Sequence, residues 1–569
     1  MRMEYEARHA GKKTLWQGAA LLGGAALLSK LIGTLQKIPL QNLAGDEVFG
    51  LYSAVYALAI MWMTLASAGI PVAVSALVAE RTAQGDEQGA RRIRRWALGL
   101  LTISGLIMFS ILWIGADRFA MWMGADSAAD AIRMSSLALL FAPATAVLRG
   151  DRQGRMQMLR PAISQLAEQI ARVAFMLAAL AMALNAAWSP SATAAAVHGG
   201  LSAGAIAGLL AMMVYAGGRR NGPIVISSIG AKKRFGPDGD TPAPVRPASL
   251  PESRRALLKR IIGVAIPVAI ASVVAPLIGL IDAFSIPRLL QRGSEEAAWA
   301  LAQFGVYNRG VALLQLVIMG AAGAASALVP AFTAARARGD GEAFTSRARF
   351  AMRLAWWAGC AAAIGLVLLA SPINKALFGD GSGTGAMALV GLAAAGGTLQ
   401  AVSAALLQGL GELRAPAVNL AAAALLKLSL NVALVPAYGI AGAAAAIAIA
   451  YAMAAVLNAL SLRQRVQLPA PRASLAWRSG AALAAMAAAV ALAALGLGAL
   501  TAALPERVSA LLVALPGVAV GAAVFAAALV ASGAIAPRDW RELPGISGSR
   551  ADGILLRIRS LTHRDNQEG

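Results

Sequence analysis

The chain has 569 residues, of which 58% are apolar and 14% charged, where an ordinary globular protein carries about 25% charged. That excludes a string of soluble domains: the charge-free runs 261–281, 354–374, 479–505 and 508–537 each reach the roughly 20 residues needed to cross a bilayer. The net charge of +22 would suit a nucleic-acid binder, but with segments alternating from a cytoplasmic N-terminus most Lys and Arg fall in inside loops and tails, which is the positive-inside rule, and no nucleic-acid partner is expected.

The fold expected is an all-α polytopic membrane protein in the cell membrane, with both termini cytoplasmic and the lipid bilayer as its solvent. Lys12 and Lys13 precede the first apolar run, but no small-residue cleavage site follows and Lys30 interrupts the run. The first helix therefore reads as retained. Fourteen spans are expected, at 14–36, 50–79, 96–116, 133–149, 161–185, 192–216, 261–284, 304–333, 354–373, 386–409, 416–435, 438–462, 479–503 and 508–533. Residues 217–260 hold ten Lys or Arg with Gly236-Pro237-Asp238-Gly239-Asp240, the composition of a basic cytoplasmic linker. The tail 534–569 is basic and reads as weakly ordered, with Ile554–Ile558 as the stretch that could form a short interfacial helix.

The first twelve spans repeat. Phe49-Gly50-Leu51-Tyr52, Arg81, Gly85-Asp86 and the cluster Arg91, Arg92, Arg94 and Arg95 return 255 residues later as Phe304-Gly305-Val306-Tyr307, Arg336, Gly339-Asp340 and a basic stretch at Arg347, Arg349 and Arg353. Gln153-Gly154, Pro161-Ala162 and Arg172 match Gln408-Gly409, Pro416-Ala417 and Lys427 at the same offset. Six spans per copy leave both copies in one orientation, as in transporters built from parallel repeats. Residues 1–216 form one lobe, 261–462 the second, and spans 13 and 14 (463–533) are additions. Gly69-Ile70-Pro71 within span 2 is the best hinge candidate, with further prolines at Pro143, Pro267 and Pro276.

Lys30, Arg172, Arg309 and Lys427 lie inside apolar segments, where each uncompensated cation costs about 2.5–3.5 kcal/mol. Lys30 and Lys37 are seven residues apart and share a helix face narrowed by Gly33. Glu168 precedes Arg172 by four residues, the spacing of an internal ion pair, while Lys37 is close enough to a span end to snorkel. Asp282 is the acidic residue that could hold a coupling cation or proton, or pair with Arg288 or Arg309. A cavity lined by Lys30, Lys37, Arg172, Arg309 and Lys427 suits an anion, since Arg grips phosphate in a fork and Lys acts as a point charge. There is no Walker A sequence, no catalytic triad and no histidine or cysteine cluster: His9, His198, His563 and Cys360 are scattered. A transporter and not an enzyme is expected, with no metal or cofactor, and with a coupling ion or the membrane potential as its energy source.

Ser29-Lys30-Leu31-Ile32-Gly33, Ile38-Pro39-Leu40, Gly45-Asp46-Glu47-Val48-Phe49-Gly50-Leu51-Tyr52 and Ser67-Ala68-Gly69-Ile70-Pro71 together resemble the SpoVB/YtgP branch of the MOP flippase superfamily, relatives of the lipid II flippases. Tyr307-Asn308-Arg309-Gly310 and Arg149-Gly150 with Gln153-Gly154 resemble two further motifs of that branch. The chain departs from it at Asp151-Arg152, where aromatics are usual, and at Val311-Ala312, where Gln-Pro is usual. The resemblance implies two MATE-like lobes and export of an undecaprenyl-pyrophosphate-linked saccharide by alternating access. It also implies that the cations of spans 1 and 8 hold the pyrophosphate. Asp46 joins Gly69 and Pro71 as a gating or hinge candidate. Lipid II is the first substrate it suggests, for peptidoglycan of the growing wall or of the spore cortex, with cell-wall synthesis enzymes as possible partners. The alternatives are an O-antigen or teichoic-type polysaccharide flippase, a MATE-like cation-coupled multidrug exporter, and a scaffold for envelope-synthesis enzymes that transports nothing.

Overall fold

The computed structural model describes residues 21–67, 69–214, 253–291, 296–337, 341–466, 473–535, 537, 540 and 550–562, and every regular element among them is helical. In chain order these are α1 (21–35), α2 (Lys37–Ser67), α3 (Ile70–Ala83), α4 (Glu87–Met123), α5 (Ala129–Ser136), α6 (Ala142–Gly154), α7 (Leu159–Asn185) and α8 (Pro190–Val214). After the linker come α9 (Arg254–Leu290), α10 (Ala297–Ala337), α11 (Gly341–Leu368), α12 (Ala370–Phe378), α13 (Thr384–Gly409), α14 (Arg414–Arg463), α15 (Ala473–Leu500), α16 (Glu506–Ala531) and α17 (Arg550–Thr562).

Among the described residues, 12 helical stretches are long and apolar enough to cross a membrane. Two of them are too long for a single crossing. Leu21–Ala83 has 63 residues and Arg414–Arg463 has 50, roughly 95 and 75 Å of helix against a hydrocarbon core of about 30 Å. Each contains a glycine whose backbone is not helical, Gly45 at φ 79° and Gly439 at φ 56°, a region that a residue with a Cβ enters at a cost. Counting each stretch as two crossings gives the fourteen expected from hydropathy.

Packing sorts the chain into two units, Met1–Gln36 with Leu51–Ala283 and Lys37–Gly50 with Phe284–Gly569. The repeat and the packing unit are thus different divisions of the chain: most of α9 groups with the first unit, and the first half of α2 groups with the second. In the first unit, Ile70, Val74, Leu77 and Val78 of α3, Ile93, Ala97 and Leu101 of α4, Val147 of α6 and Leu257, Ile261 and Ala265 of α9 form one buried cluster. Asp86 opens α4 by accepting a 2.7 Å hydrogen bond from the Gly89 amide, which satisfies one of the helix's orphan donors. In the second unit, α15 and α16 pack on α11 and α12 through Trp357, Leu369, Ile373, Met486, Val490, Phe525 and Leu529.

Three local expectations change. The linker was expected to run to 260, but α9 begins at Arg254, so its last residues are two turns of helix; most of the remaining linker lies outside the described residues. The tail expected to be weakly ordered contains α17, and Trp540, 1% exposed, donates from Nε1 to Asp552 Oδ1 at 3.0 Å. A buried indole with its N–H satisfied is an anchor, which is why this part of the tail is fixed. Pro267 and Pro276 do not interrupt α9, whereas Pro71 and Pro143 stand in the first turns of α3 and α6, where a proline N–H is not needed.

Candidate functional site

The densest polar arrangement in the second unit is built around Arg309 of α10. Its side chain is 0% exposed and all its donor nitrogens are engaged. Nε donates to Asp46 Oδ1 at 2.9 Å and Nη2 to Asp46 Oδ2. Nη1 donates to Asp380 Oδ1 at 2.7 Å and to Asn374 Oδ1 at 3.3 Å, and Nη2 to Asp380 Oδ2 at 3.0 Å. One guanidinium therefore holds two carboxylates bidentately, the geometry that Arg offers and Lys does not, and the Phe378 ring covers it at 5.4 Å.

Each partner is placed by its own local structure. Gly45 breaks α2 with its positive φ and aims Asp46 at α10, and Gln41 Nε2 donates to Asp46 Oδ1 at 3.2 Å. Gly379, at φ 86°, ends α12 and starts the turn carrying Asp380, whose Oδ1 also accepts from the Ser382 amide at 2.7 Å. Asn374 is fixed by donating to the Ser382 carbonyl at 2.8 Å and to Thr384 Oγ1 at 3.1 Å. The hydrogen bonds from Arg309, and then from Ser382, hold the Asp380 carboxyl down at about 2.

Backbone contact completes the arrangement. A Cβ on Gly50 would stand 2.8 Å from the carbonyl carbon of Leu301, and one on Gly305 would stand 2.9 Å from that of Asp46. The four positions are two repeat-related pairs, 50 with 305 and 46 with 301. The repeated Phe-Gly motif is therefore two glycines that let α2 and α10 meet reciprocally.

The expected cavity cations go to different places. Arg309, expected to face a cavity, is enclosed by carboxylates that the sequence did not bring to it. Lys37 is buried, with Nζ 3.5 Å from Gln315 Oε1 of α10, so it does not snorkel. Gln36 interrupts the helix between Lys30 and Lys37, and the two lie in different packing units, so they do not share one unbroken helix face. Lys30 is exposed on α1, and Gly33 meets the Gln169 amide instead. Arg172 makes the expected pair with Glu168 at 2.9 Å, and Arg149 shares that carboxylate at 2.7 Å. Lys427 is fully buried on α14 at the position matching Arg172, and Asp282 is buried on α9.

The hinge candidates stand at a real break. Gly69 takes φ 69° between α2 and α3, with Pro71 in the first turn of α3. The Arg149-Gly150…Gln153-Gly154 motif is the other side of that contact: a Cβ on Gly150 would lie 3.2 Å from Pro71 Cα, and one on Gly154 3.2 Å from the Ala79 amide nitrogen. Small residues four apart let α6 lie against α3. The departure at Asp151 has its own role, since this 1%-exposed carboxylate pairs with Arg155 at 3.2 Å and Arg94 at 3.6 Å.

Sequence reasoning missed Asp380 and Asn374. The only local signal was the Gly-Asp pair Gly379-Asp380, which resembles Gly45-Asp46 but is matched by four other Gly-Asp pairs in the chain. It also missed the stack of His198 on Tyr52 at 4.9 Å in the first unit.

Among the described residues the regular elements are all helical, and 12 stretches long and apolar enough to cross a bilayer define a multi-pass membrane protein. The family described as polysaccharide biosynthesis protein matches residues 15–335, and the chain belongs to it. It is 30% identical over 543 residues, 95% of this chain and 97% of the relative, to the uncharacterized membrane protein YabM of Bacillus subtilis (strain 168). It is 25% identical to the lipid II flippase MurJ of the same organism over 74% of this chain and 77% of that one. Among solved structures it resembles an inward-facing multidrug resistance MATE family transporter of the MOP superfamily, with a TM-score of 0.61 and 17% identity over 77% of this chain and 94% of that one. The protein is a member of the MOP flippase superfamily.

Proposed function

We propose that the protein exports an undecaprenyl-pyrophosphate-linked cell-wall precursor, lipid II before other lipid-linked saccharides, across the cytoplasmic membrane by alternating access. The observation that carries this reading is the sequence relation to a lipid II flippase across three quarters of both chains. Physical chemistry supports it: an anionic headgroup needs cations in an apolar chain, and an inside-negative potential favours outward movement of an anion by about 2.3 kcal/mol per charge per 100 mV. Lys30, exposed on α1, is the cation assigned to the pyrophosphate. Arg309 is assigned instead to holding Asp46 and Asp380, and Gly69 with Pro71 to bending between α2 and α3. In this reading both termini are cytoplasmic.

The test is translocation of labelled lipid II by the full chain in vesicles, compared with Lys30→Ala. Wild type should move lipid II, and the variant should lose at least tenfold in rate with an unchanged melting temperature. If wild type moves another polyprenyl-linked glycan or a drug and leaves lipid II in place, the substrate assignment falls. Equal rates in the two proteins remove Lys30 from the site.

A further inference from the structure

In the first unit, the turns joining α3 to α4 and α6 to α7 gather, with the start of α9, an excess of positive charge. Residues 80–95, 150–160 and 254–260 hold twelve Lys or Arg against four Asp or Glu, a net charge of +8. Ion pairs tie these segments together and engage all four acids. Glu80 pairs with Arg260 at 2.7 Å, Asp86 with Arg81 at 3.3 Å and Glu87 with Arg155 at 2.8 Å, while Asp151 lies 3.2 Å from Arg155 and 3.6 Å from Arg94. Leu257 and Ile261 of α9 are buried with Val78 of α3 and Ile93 of α4, which sets the segments side by side.

The excess is densest at the α6–α7 turn. Arg152 donates from Nη1 to the neutral Gln157 Oε1 at 3.1 Å. The guanidiniums of Arg160, Arg155 and Arg94 are close enough to repel that of Arg152, and Asp151 attracts it. Asp151 and Glu87 bring two negative charges to these four positive ones. Like charges held together in a half-buried turn repel, and an anion with several acceptor oxygens relieves them. A guanidinium has five N–H groups, so Arg152 keeps donors for such an anion. The turn is also apolar. Met156 takes φ 60°, the left-handed region that a residue with a Cβ enters at a cost. It is held there by hydrogen bonds from its own amide to the Gln153 carbonyl and from the Gln157 amide to the Arg152 carbonyl, both 2.9 Å. Met156 and Leu159 stand exposed beside the arginines, as does Trp96 next to Arg95 on α4. Arginines interleaved with exposed apolar and Trp side chains at the ends of membrane-length helices match the boundary between headgroup and acyl chain.

We propose that this end of the first unit holds the headgroup of an anionic phospholipid, with Arg152 as the phosphate ligand, Arg94, Arg155 and Arg160 adding positive field, and Met156 and Leu159 against the acyl chains. A free phosphate would meet the charge but leave Met156, Leu159 and Trp96 in water, and so would an acidic protein segment. The chain carries Asp151-Arg152 where the branch it resembles has aromatics, so the site is a feature of this chain and not of the resemblance. With the N-terminus cytoplasmic, this end meets the leaflet whose anionic lipids attract Lys and Arg at helix ends. The Arg155–Glu87 and Arg94–Asp151 pairs already join the turn to α4, and a lipid shared among the same guanidiniums braces that junction. The site stands whether or not the chain is a flippase.

The test uses the full chain in detergent, freed of co-purified lipid, with phosphatidylglycerol, phosphatidylcholine or inorganic phosphate as the probe and native mass spectrometry as the readout. Wild type should bind phosphatidylglycerol about tenfold more tightly than phosphatidylcholine, and the preference should shrink as salt rises. Arg152→Gln with Arg160→Gln should weaken phosphatidylglycerol binding by about fivefold or more and leave phosphatidylcholine binding as it was. Arg349→Gln with Arg463→Gln removes two exposed charges from α11 and α14 and should bind as wild type does. No loss in the first double variant overturns the site, and an equal loss in the second shows an effect of net charge and overturns it too. Displacement of the lipid by inorganic phosphate overturns the assignment to a lipid. Should the first double variant not fold, a photoactivatable phosphatidylglycerol on wild type decides: adducts on residues 152–160 are expected, and adducts confined to other segments overturn the site.

Discussion

Arg309 shows how one residue type decides a site. A guanidinium can serve Asp46, Asp380 and Asn374 together, and a lysine at the same place could not. Arg309→Ala should lower stability by on the order of 2 kcal/mol, less than the 3–5 kcal/mol for a fully buried pair, because water reaches Asp46 and Asp380, which are 20% and 47% exposed. Arg309→Lys should fall between, and apparent melting temperature in detergent is the readout. Asp380 sets a pH dependence. Its carboxyl is held at about 2 against an ordinary 3.8, so its contribution is full above about pH 4 and is lost as pH falls towards 2. Asp380→Asn should lose less stability than wild type between pH 4 and pH 2; identical acid curves would remove Asp380 from the account. Asp46 was legible in the sequence as part of a motif, but its partner was not, because residues 46, 309 and 380 come together only by tertiary packing.

At the level of elements, the repeated Phe-Gly motif acquires a physical reason. Gly50 and Gly305 are the points where α2 and α10 approach, and a methyl group on either collides with main-chain carbonyls that have no rotamer to escape into. Gly50→Ala or Gly305→Ala should cost about 1–3 kcal/mol or prevent folding, read as a fall in monodisperse yield and melting temperature. Gly23→Ala, with open space around its Cβ position, should be neutral and serves as the control. The same logic explains Gly150 and Gly154 of α6 against α3. Sequence periodicity located these glycines, yet it could not say what each touches.

Across the whole molecule, charge asymmetry gives a topology that can be measured. Cysteines introduced singly at Ser227 in the linker and at Ser382 in the turn after α12, with Cys360 replaced by Ala, should label from opposite sides with a membrane-impermeant maleimide. Labelling of both from one side would overturn the alternation of spans. The sequence by itself determined that the chain lives in a membrane and is built of many apolar helices; fourteen crossings, twelve of them in two copies of one unit, are the expectation drawn from it. Apolar length, loop charge and repeat register are properties of consecutive residues, so a linear reading reaches them. Tertiary structure alone decided that Lys37–Gly50 packs with the second unit, that Arg309 is enclosed by carboxylates and that His198 stacks on Tyr52. Each of these joins residues far apart in the chain, and burial, which sets what a charge or an orphaned donor costs, exists only once the helices have packed.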